Sequence, residues 1–162
     1  MKKQELIEKI CKIFASEQID GIKDIVDKIP DKVLAPIQNV EKVENGPKRS
    51  NGKKVPSGYN PKTKTVEFYE DTFSVNHLSH EIGHCVYHEF KEIAEIVSSI
   101  YPKDEAFEVE SILHNGDTDS IYSEFLANTY ERFKSGKPLE DIKEELREPT
   151  EQLIEILKQK KY

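Results

Sequence analysis

The chain of 162 residues contains no tryptophan, a single methionine and only two cysteines. Cys11 and Cys85 are too few for a disulfide framework, and their apolar helical surroundings predict buried thiols. No apolar run is long enough to indicate a secretory signal peptide or a transmembrane span. Since these signals are missing, we expect a cytoplasmic protein without a membrane partner.

Acidic residues outnumber basic ones. The 31 Asp and Glu and the 24 Lys and Arg give the chain a formal net charge of -7. No basic patch stands out, which argues against nucleic acid as the main partner. Charged residues make up 34% of the chain and hydrophobic residues 36%, which is typical of a globular protein with well-solvated helices. The length suits one domain with a substantial core, and the oligomeric state is left open.

Apolar residues recur at helical spacing near the start of the chain, which predicts one helix from Gln4 to Phe14 and another from Ile22 to Ile29. We therefore expect an N-terminal helical layer over residues 1–43. Residues 44–58 are rich in Gly, Pro, Ser, Asn and Lys, a composition typical of an exposed loop. This loop would separate the helical layer from the rest of the chain.

A hairpin is predicted after the loop. Residues Thr65 to Tyr69 alternate and carry aromatic and β-branched side chains, and a turn sequence precedes them. The weaker partner strand would run from Lys53 to Tyr59. The Thr65–Tyr69 strand either pairs with an extended peptide by strand addition or only covers the core.

The sequence His-Glu-Ile-Gly-His at residues 80–84 carries the strongest chemical signal. On a helix, His80 and His84 lie one turn apart, so both imidazoles leave the same face and can bind one metal ion. Glu81 lies beside them, where its carboxylate can reach a water on that metal. Zinc sites that activate water need this grouping of neutral nitrogen ligands, an open position and a nearby base.

The helix that carries this motif is predicted to begin at Ser74 or Asn76 and to end near Ser99. At about 100° per residue, its apolar residues form one stripe and its histidines another. The apolar stripe consists of Leu78, Ile82, Cys85, Val86, Ile93 and Val97. His77 and His88 extend the histidine row, and we interpret them as solvent-facing residues near a cleft.

Two histidines leave a catalytic zinc ion one protein ligand short. A second helix is predicted from Ser120 to Lys134, with mostly apolar and aromatic residues. A buried carboxylate there is costly unless it is paired or bound to metal, which favours Glu124 as the third ligand. Asn128, one turn later, would then be a partner of Glu124 or of the metal helix. The downstream donors considered are His114, Asp117, Asp119, Glu124 and Glu131.

The motif followed by Glu124 resembles the gluzincin branch of zinc metallopeptidases. Over roughly Ser57 to Phe133 the chain is similar to two families of that kind. The lethal-factor and Pro-Pro endopeptidase group shares a Gly-Tyr turn before the motif and a Glu-Phe-x-Ala segment after it. The ImmA/IrrE-like peptidases share the pattern Glu-x-x-Ala-Asn-x-Tyr, which begins at Glu124, and His88. In the first group an assisting tyrosine stands where this chain has Asp117.

This resemblance implies a zincin-like fold of the α+β class, mostly helical, with a small β-sheet and a central active-site helix. We expect a single domain over residues 1–162, with a catalytic core at 53–134. Residues 138–162 are predicted to form two short helices broken at Pro149.

The predicted function is zinc-dependent hydrolysis of peptide bonds in a protein or peptide substrate. The ligands of Zn²⁺ would be His80, His84 and Glu124, with Glu81 as general base. Tyr122 and His114 are the candidate donors to the developing oxyanion. The alternative is a catalytically inactive or regulatory binding module on a metallopeptidase fold.

Overall fold

The computed structural model describes residues 1–15, 19–48 and 51–162. These residues form a mostly helical α+β structure with a small mixed sheet, which confirms the predicted class. The elements are α1 (Lys3–Ile13), α2 (Ile22–Asp27), α3 (Asp31–Leu34), β1 (Asn39–Lys42), β2 (Ser57–Asn60), β3 (Thr65–Phe68), α4 (Val75–Glu89), α5 (Lys91–Ile100), α6 (Glu105–Leu113), α7 (Thr118–Ser135) and α8 (Glu144–Gln159).

The first two predicted helices are confirmed as α1 and α2. Leu6 and Ile10 lie on one face of α1 and are fully buried, because α1 packs on α2 and on β1. Cys11 lies on the opposite, exposed side of α1, so its predicted burial is wrong, whereas Cys85 is buried as expected. Gly21 precedes α2 with φ at 79°, a left-handed conformation that suits glycine.

The three strands form one sheet in the order β1-β3-β2. β2 and β3 are antiparallel, with Tyr59 opposite Val66, so the predicted hairpin is confirmed with a shorter first strand that begins at Ser57. β1 runs parallel to β3 and was not predicted. Of the predicted 44–58 loop, residues 49 and 50 lie outside the described residues, and Ser57 and Gly58 belong to β2.

Strand β3 is the central strand, so its two edges are already hydrogen-bonded to β1 and β2. The prediction that the Thr65–Tyr69 strand can receive an extended peptide is therefore wrong. Strand β2 is instead at the edge of the sheet in the described part of the chain, and it packs beside α4. A peptide that adds to this sheet would pair with β2.

The predicted long helix from Ser74 to Ser99 is two helices, α4 and α5, which meet at Phe90. Phe90 has φ -121° and ψ 86°, outside the helical region, and its ring packs edge-on against Tyr162 at 5.0 Å. The apolar stripe continues across this break. Its members on both helices are fully buried: Leu78, Ile82, Cys85, Val86, Ile93 and Val97.

Helix α7 begins where the Asp117 side chain accepts a hydrogen bond from the backbone N–H of Ser120, and it ends at Gly136. It packs along α4, and the two helices approach closely at Gly83. A Cβ atom at Gly83 would lie 2.6 Å from the Cα of Ala127. The absence of a side chain at Gly83 therefore lets the two helices come together.

The C-terminal prediction of two short helices is wrong, because α8 runs through Pro149. Pro149 is the sixth residue of α8, so it removes the backbone hydrogen bond to the carbonyl of Glu145, and the helix continues past it. Leu153 and Leu157 are fully buried further along and anchor α8. In the part of the chain that the structure describes, none of the helices combines the length and the apolar character needed to cross a membrane.

Candidate metal centre

Helix α4 directs His80 and His84 to the same side, with ring centroids 4.9 Å apart. Glu124 reaches them from α7. Its Oε1 lies 3.4 Å from Nε2 of His80, and its Oε2 lies 3.3 Å from Nε2 of His84. One ligand atom from each of these residues falls within 4.8 Å of the other two. Two helices far apart in sequence therefore bring two nitrogens and a carboxylate to one point.

The outer nitrogens of both imidazoles have partners on α7. Nδ1 of His84 lies 2.7 Å from Oγ of Ser123, and Nδ1 of His80 lies 3.5 Å from Oε2 of Glu131. Protons on the two Nδ1 atoms would leave both Nε2 lone pairs available to a cation beside Glu124. Asn128, the predicted partner, instead lies exposed on the wall of the cleft.

The three donors are close enough together to hold a metal ion. Bonds of 2.0–2.1 Å in tetrahedral geometry place neighbouring ligand atoms about 3.3–3.4 Å apart. Glu124 approaches the two imidazoles at 3.4 Å and 3.3 Å through different oxygens, Oε1 toward His80 and Oε2 toward His84. Two neutral nitrogens with one carboxylate are also the donor set of several catalytic zinc sites, which leave the fourth position open.

The same atoms also form an ion-pair cluster. Burial lowers the pKa of His80, but the carboxylates of Glu124 and Glu131 outweigh that effect and raise it to about 10. The pKa of Glu124 is lowered by hydrogen bonds from His80 and His84. Protons therefore compete with a metal ion for this site.

Glu124 is not the buried carboxylate that the sequence predicted, because its side chain is 57% exposed. The buried side of α7 is formed by its neighbours Ile121, Tyr122, Phe125 and Leu126, and Glu124 projects from the adjacent side into an open cleft. Glu124 nevertheless lies next to both histidines, which does not require its side chain to be buried.

The deeply buried acid of the site is Glu81, which is 4% exposed. Oγ of Ser57, at the start of β2, donates a hydrogen bond of 2.7 Å to Oε1 of Glu81. Burial raises the pKa of Glu81, while the nearby His84 and His80 act in the opposite direction. A carboxylate with a raised pKa beside a candidate metal site is well placed to exchange protons with water.

These residues line a cleft of about 860 Å³ between β2, α4 and α7. All five histidines of the chain contribute to its walls: His77, His80, His84, His88 and His114. His77 and His88 therefore lie at the cleft, as the sequence predicted.

The two candidate donors to the oxyanion, His114 and Tyr122, lie in different parts of the molecule. His114 follows α6 and lines the cleft. Tyr122 does not belong to the cleft wall, because its ring stacks on Phe107 at 5.9 Å and packs against Tyr101 on the other side of α7. The cleft geometry therefore gives no support to the predicted role of Tyr122 as a donor to the oxyanion.

The other downstream donors that the sequence offered have different partners. Asp117 caps α7, and Asp119 accepts a hydrogen bond of 2.9 Å from the Tyr87 hydroxyl. Glu131 contacts His80 through its outer nitrogen and also pairs with Lys137. The structure therefore brings only Glu124, among these candidates, to the inner nitrogens of both histidines in the described residues.

Sequence reasoning missed Ser57, whose hydroxyl holds Glu81. No spacing rule connects a strand residue to a helix residue 24 positions later, so the contact becomes visible only in the folded chain. Tyr69 was also missed. Its ring lies across Gly58 of β2, and its hydroxyl donates to Glu67 at 2.6 Å.

Comparison with protein-family models, with curated proteins and with solved structures finds no match for this chain. The chemistry of the cleft must therefore be judged from its own geometry.

Proposed function

We propose that this chain is a zinc-dependent metallopeptidase of the gluzincin type with a zincin-like fold. The observation that carries the proposal is the convergence of His80, His84 and Glu124 on one point, beside the buried carboxylate of Glu81. The resemblance of the His-Glu-Ile-Gly-His motif to that branch supports it independently of the folded geometry.

In this proposal His80 and His84 bind Zn²⁺ through Nε2, and Glu124 is the third ligand. The bound ion supplies a Lewis acid that activates water and polarises the substrate carbonyl. Ser123 and Glu131 hold the outer nitrogens, so the rings keep the orientation that binding needs.

Glu81 is the general base. Ser57 holds its Oε1, which leaves Oε2 to accept a proton from the attacking water and to deliver it to the leaving nitrogen. The raised pKa of Glu81 suits a group that must both take and return a proton. His114, on the cleft wall, is the candidate donor to the oxyanion.

The edge strand β2 supports a peptide as the substrate. Ser57, Gly58 and Tyr59 line the cleft next to the metal helix. An extended peptide that pairs with β2 would gain main-chain hydrogen bonds and would lie along the cleft. The carbonyl groups of that peptide would then lie close to the three proposed metal ligands and to Glu81.

The Glu81→Gln substitution tests the proposal. We expect the purified protein to bind one zinc ion per chain and to cleave an unstructured protein such as casein, with cleavage stopped by a chelator. Glu81→Gln should keep the zinc but lose at least about a hundredfold in kcat, because the base is lost while the ligands remain. Glu95→Gln, on the exposed side of α5, is the matched control and should behave as wild type.

Two results would contradict the proposal in different ways. Zinc retention without cleavage of any peptide by the wild-type chain would favour the regulatory binding module. Failure to retain zinc would mean that His80, His84 and Glu124 form only an ion-pair cluster.

A further inference from the structure

The basic residues of this acidic chain are unevenly distributed. Between Glu44 and Glu67 the sequence contains no Asp or Glu. The same interval contains Lys48, Arg49, Lys53, Lys54, Lys62 and Lys64. The formal net charge of the whole chain is -7, so this interval is the exception in a sequence that otherwise shows no basic patch. Its position in the fold determines what this local charge can act on.

Residues 47–56, which we call the basic arm, lead directly into β2 at the wall of the metal cleft. Pro47, Val55 and Pro56 line that cleft. The N–H of Val55 donates to the carbonyl of Pro47 at 3.2 Å, which closes the arm at its base. The carbonyl of Pro56 accepts a hydrogen bond of 2.9 Å from the N–H of Tyr69. The base of the arm is therefore fixed to the fold beside the cleft.

Lys48 and Lys54 lie opposite each other across the arm, in an isolated antiparallel bridge. Like charges in directly opposite positions are unfavourable, and an anion bound near both would relieve their repulsion. In the described residues, no carboxylate lies within ion-pair distance of Lys48, Lys53 or Lys54, and all three lysines are exposed. The arm thus presents positive charge that the described part of the fold does not neutralise by direct pairing.

The acidic groups around the cleft leave this charge available. Asp71 is hydrogen-bonded to Lys42, which lowers the pKa of Asp71 more than the more distant Lys54 does. The α7 side of the cleft carries Asp117 and Asp119. An acidic segment in the cleft would therefore be repelled at α7 and attracted at the arm.

We propose that the basic arm binds an acidic segment of the peptide substrate, next to the residues that are cleaved. The inference deepens the proposed peptidase function and rests on it. Lys54 lies three residues before Ser57, so the chain between them spans at most about 11 Å. The Debye length at physiological ionic strength is about 8 Å, so the charges of the arm reach a peptide that lies along β2. Such a peptide would gain main-chain hydrogen bonds from β2 and charge selection from the arm.

The first experiment measures binding without metal or turnover. Blocked, dye-labelled peptides that differ only in a pair of Glu, Gln or Lys residues at each end are titrated into the metal-free wild-type chain, and fluorescence anisotropy is followed. At about 0.1 M salt we expect the Glu peptide to bind at least about fivefold more tightly than the Gln peptide. The difference should disappear at about 1 M salt, where the Debye length is about 3 Å. The net charge of -7 alone predicts the opposite order, with the Lys peptide bound best. That order, or equal affinities, would overturn the assignment.

Substitutions in the arm provide the matched variants. Lys48→Gln combined with Lys54→Gln should remove most of the preference for the Glu peptide. Lys91→Gln combined with Lys158→Gln removes the same charge from exposed positions on α5 and α8 and should leave the preference unchanged. Lys54→Glu places opposite charges across the bridge, so it should keep the arm paired and still remove the preference. A full preference in both arm variants would contradict the proposal.

A nucleic acid is the other anionic polymer that exposed lysines can bind. A single-stranded pentanucleotide, whose charge is similar to that of the Glu peptide, is titrated under the same conditions. Because a nucleic acid cannot pair with β2 as a strand, we expect it to bind at least about fivefold more weakly than the Glu peptide. Equal or tighter binding of the pentanucleotide would overturn the assignment to a peptide.

The second experiment connects the arm to cleavage. Zinc-loaded wild-type protein is given the same three peptides, built around a central sequence that the protein cleaves in casein. We expect KM to be at least about fivefold lower for the Glu peptide than for the Gln peptide with similar kcat, because the arm binds substrate and transition state alike. Equal KM values would overturn the role of the arm alone. Charge-selective binding without any cleavage would overturn the proposed function and leave a surface that binds acidic peptides.

Discussion

Ser57 and Glu81 meet at the wall of the cleft, and each is only 4% exposed. A hydrogen bond to a buried carboxylate favours the charged form of that carboxylate and fixes one of its oxygens. The serine hydroxyl thereby acts through the proposed base, so we treat Ser57 as a positioning residue.

Ser57→Ala removes this contact. We expect kcat to fall about tenfold or more with little change in KM, because the orientation of the base is lost while the cleft remains. The pKa of Glu81 should rise further, since the hydrogen bond that stabilised the carboxylate is gone. The acid limb of the pH profile of kcat/KM should therefore move to higher pH, and this profile is the measurement.

Two further variants separate positioning from general damage to the fold. Ser57→Thr keeps a hydroxyl and should restore much of the activity and the original pH limb. Ser120→Ala removes another serine of the cleft wall and should leave both unchanged. An unshifted acid limb in Ser57→Ala would show that Ser57 has no influence on the base.

At the scale of single elements, the site depends on how closely α4 and α7 approach. Gly83, between the two histidines of the motif, lies against Ala127 and Tyr130 of α7. A Cβ atom there would come within 2.6 Å of a backbone atom, so one helix would have to move. That movement would separate His80 and His84 from Glu124.

Gly83→Ala is therefore expected to lower the free energy of unfolding by about 1–3 kcal/mol. Helix propensity alone predicts the opposite sign, a gain of about 1 kcal/mol for alanine over glycine. Zinc affinity should fall together with stability because the ligands belong to both helices. Denaturant unfolding and a zinc titration measure the two effects. Ser99→Ala, on the exposed side of α5, is the control and should change neither by much.

Elements with strong local periodicity could be predicted from the sequence. The apolar stripe of α4 and α5 follows from residue spacing, as does the placement of His80, Glu81 and His84 on one helix. The break at Phe90 could not be predicted, because apolar residues continue at helical spacing on its far side. Strand β1 has only Val40 buried, and its partner β3 lies more than 20 residues away, so its sequence carries little signal.

For the site itself, the sequence supplied residue types and spacing but not burial. Glu124 was expected to be buried because its helix neighbours are apolar, yet α7 turns that position toward the cleft. Tyr122 was a candidate donor to the oxyanion, while its ring belongs to an aromatic cluster with Tyr101 and Phe107. Both outcomes depend on which neighbours cover each face of α7, which is a property of tertiary packing.

In the molecule as a whole, α4 lies in the centre. Its apolar side contacts α2 and α3 of the N-terminal layer, α7 packs along it, and its histidine side faces the cleft beside β2. The proposed metal site would connect α4 to α7 through three bonds. Metal binding should therefore stabilise the assembled molecule and not only the cleft.

A ligand that binds only the folded state adds RT ln(1 + [L]/Kd) to the free energy of unfolding, about 4 kcal/mol at a thousandfold excess over Kd. For a chain of this length, each kcal/mol corresponds to about 2–4 °C in Tm. We expect zinc to raise Tm by roughly 8–16 °C on this basis, and a chelator to reverse the rise. Thermal unfolding followed by circular dichroism measures both.

Glu124→Gln tests whether this stabilisation comes from the proposed site. The amide keeps the size of the side chain but not its charge, so most of the zinc-dependent rise in Tm should disappear. Glu131→Gln should keep part of the rise, because Glu131 contacts only the outer nitrogen of His80. A full rise in Glu124→Gln would place the metal elsewhere in the molecule. The contact between α4 and α7 would then be a packing contact alone. The only role of Glu124 would be to form ion pairs with His80 and His84.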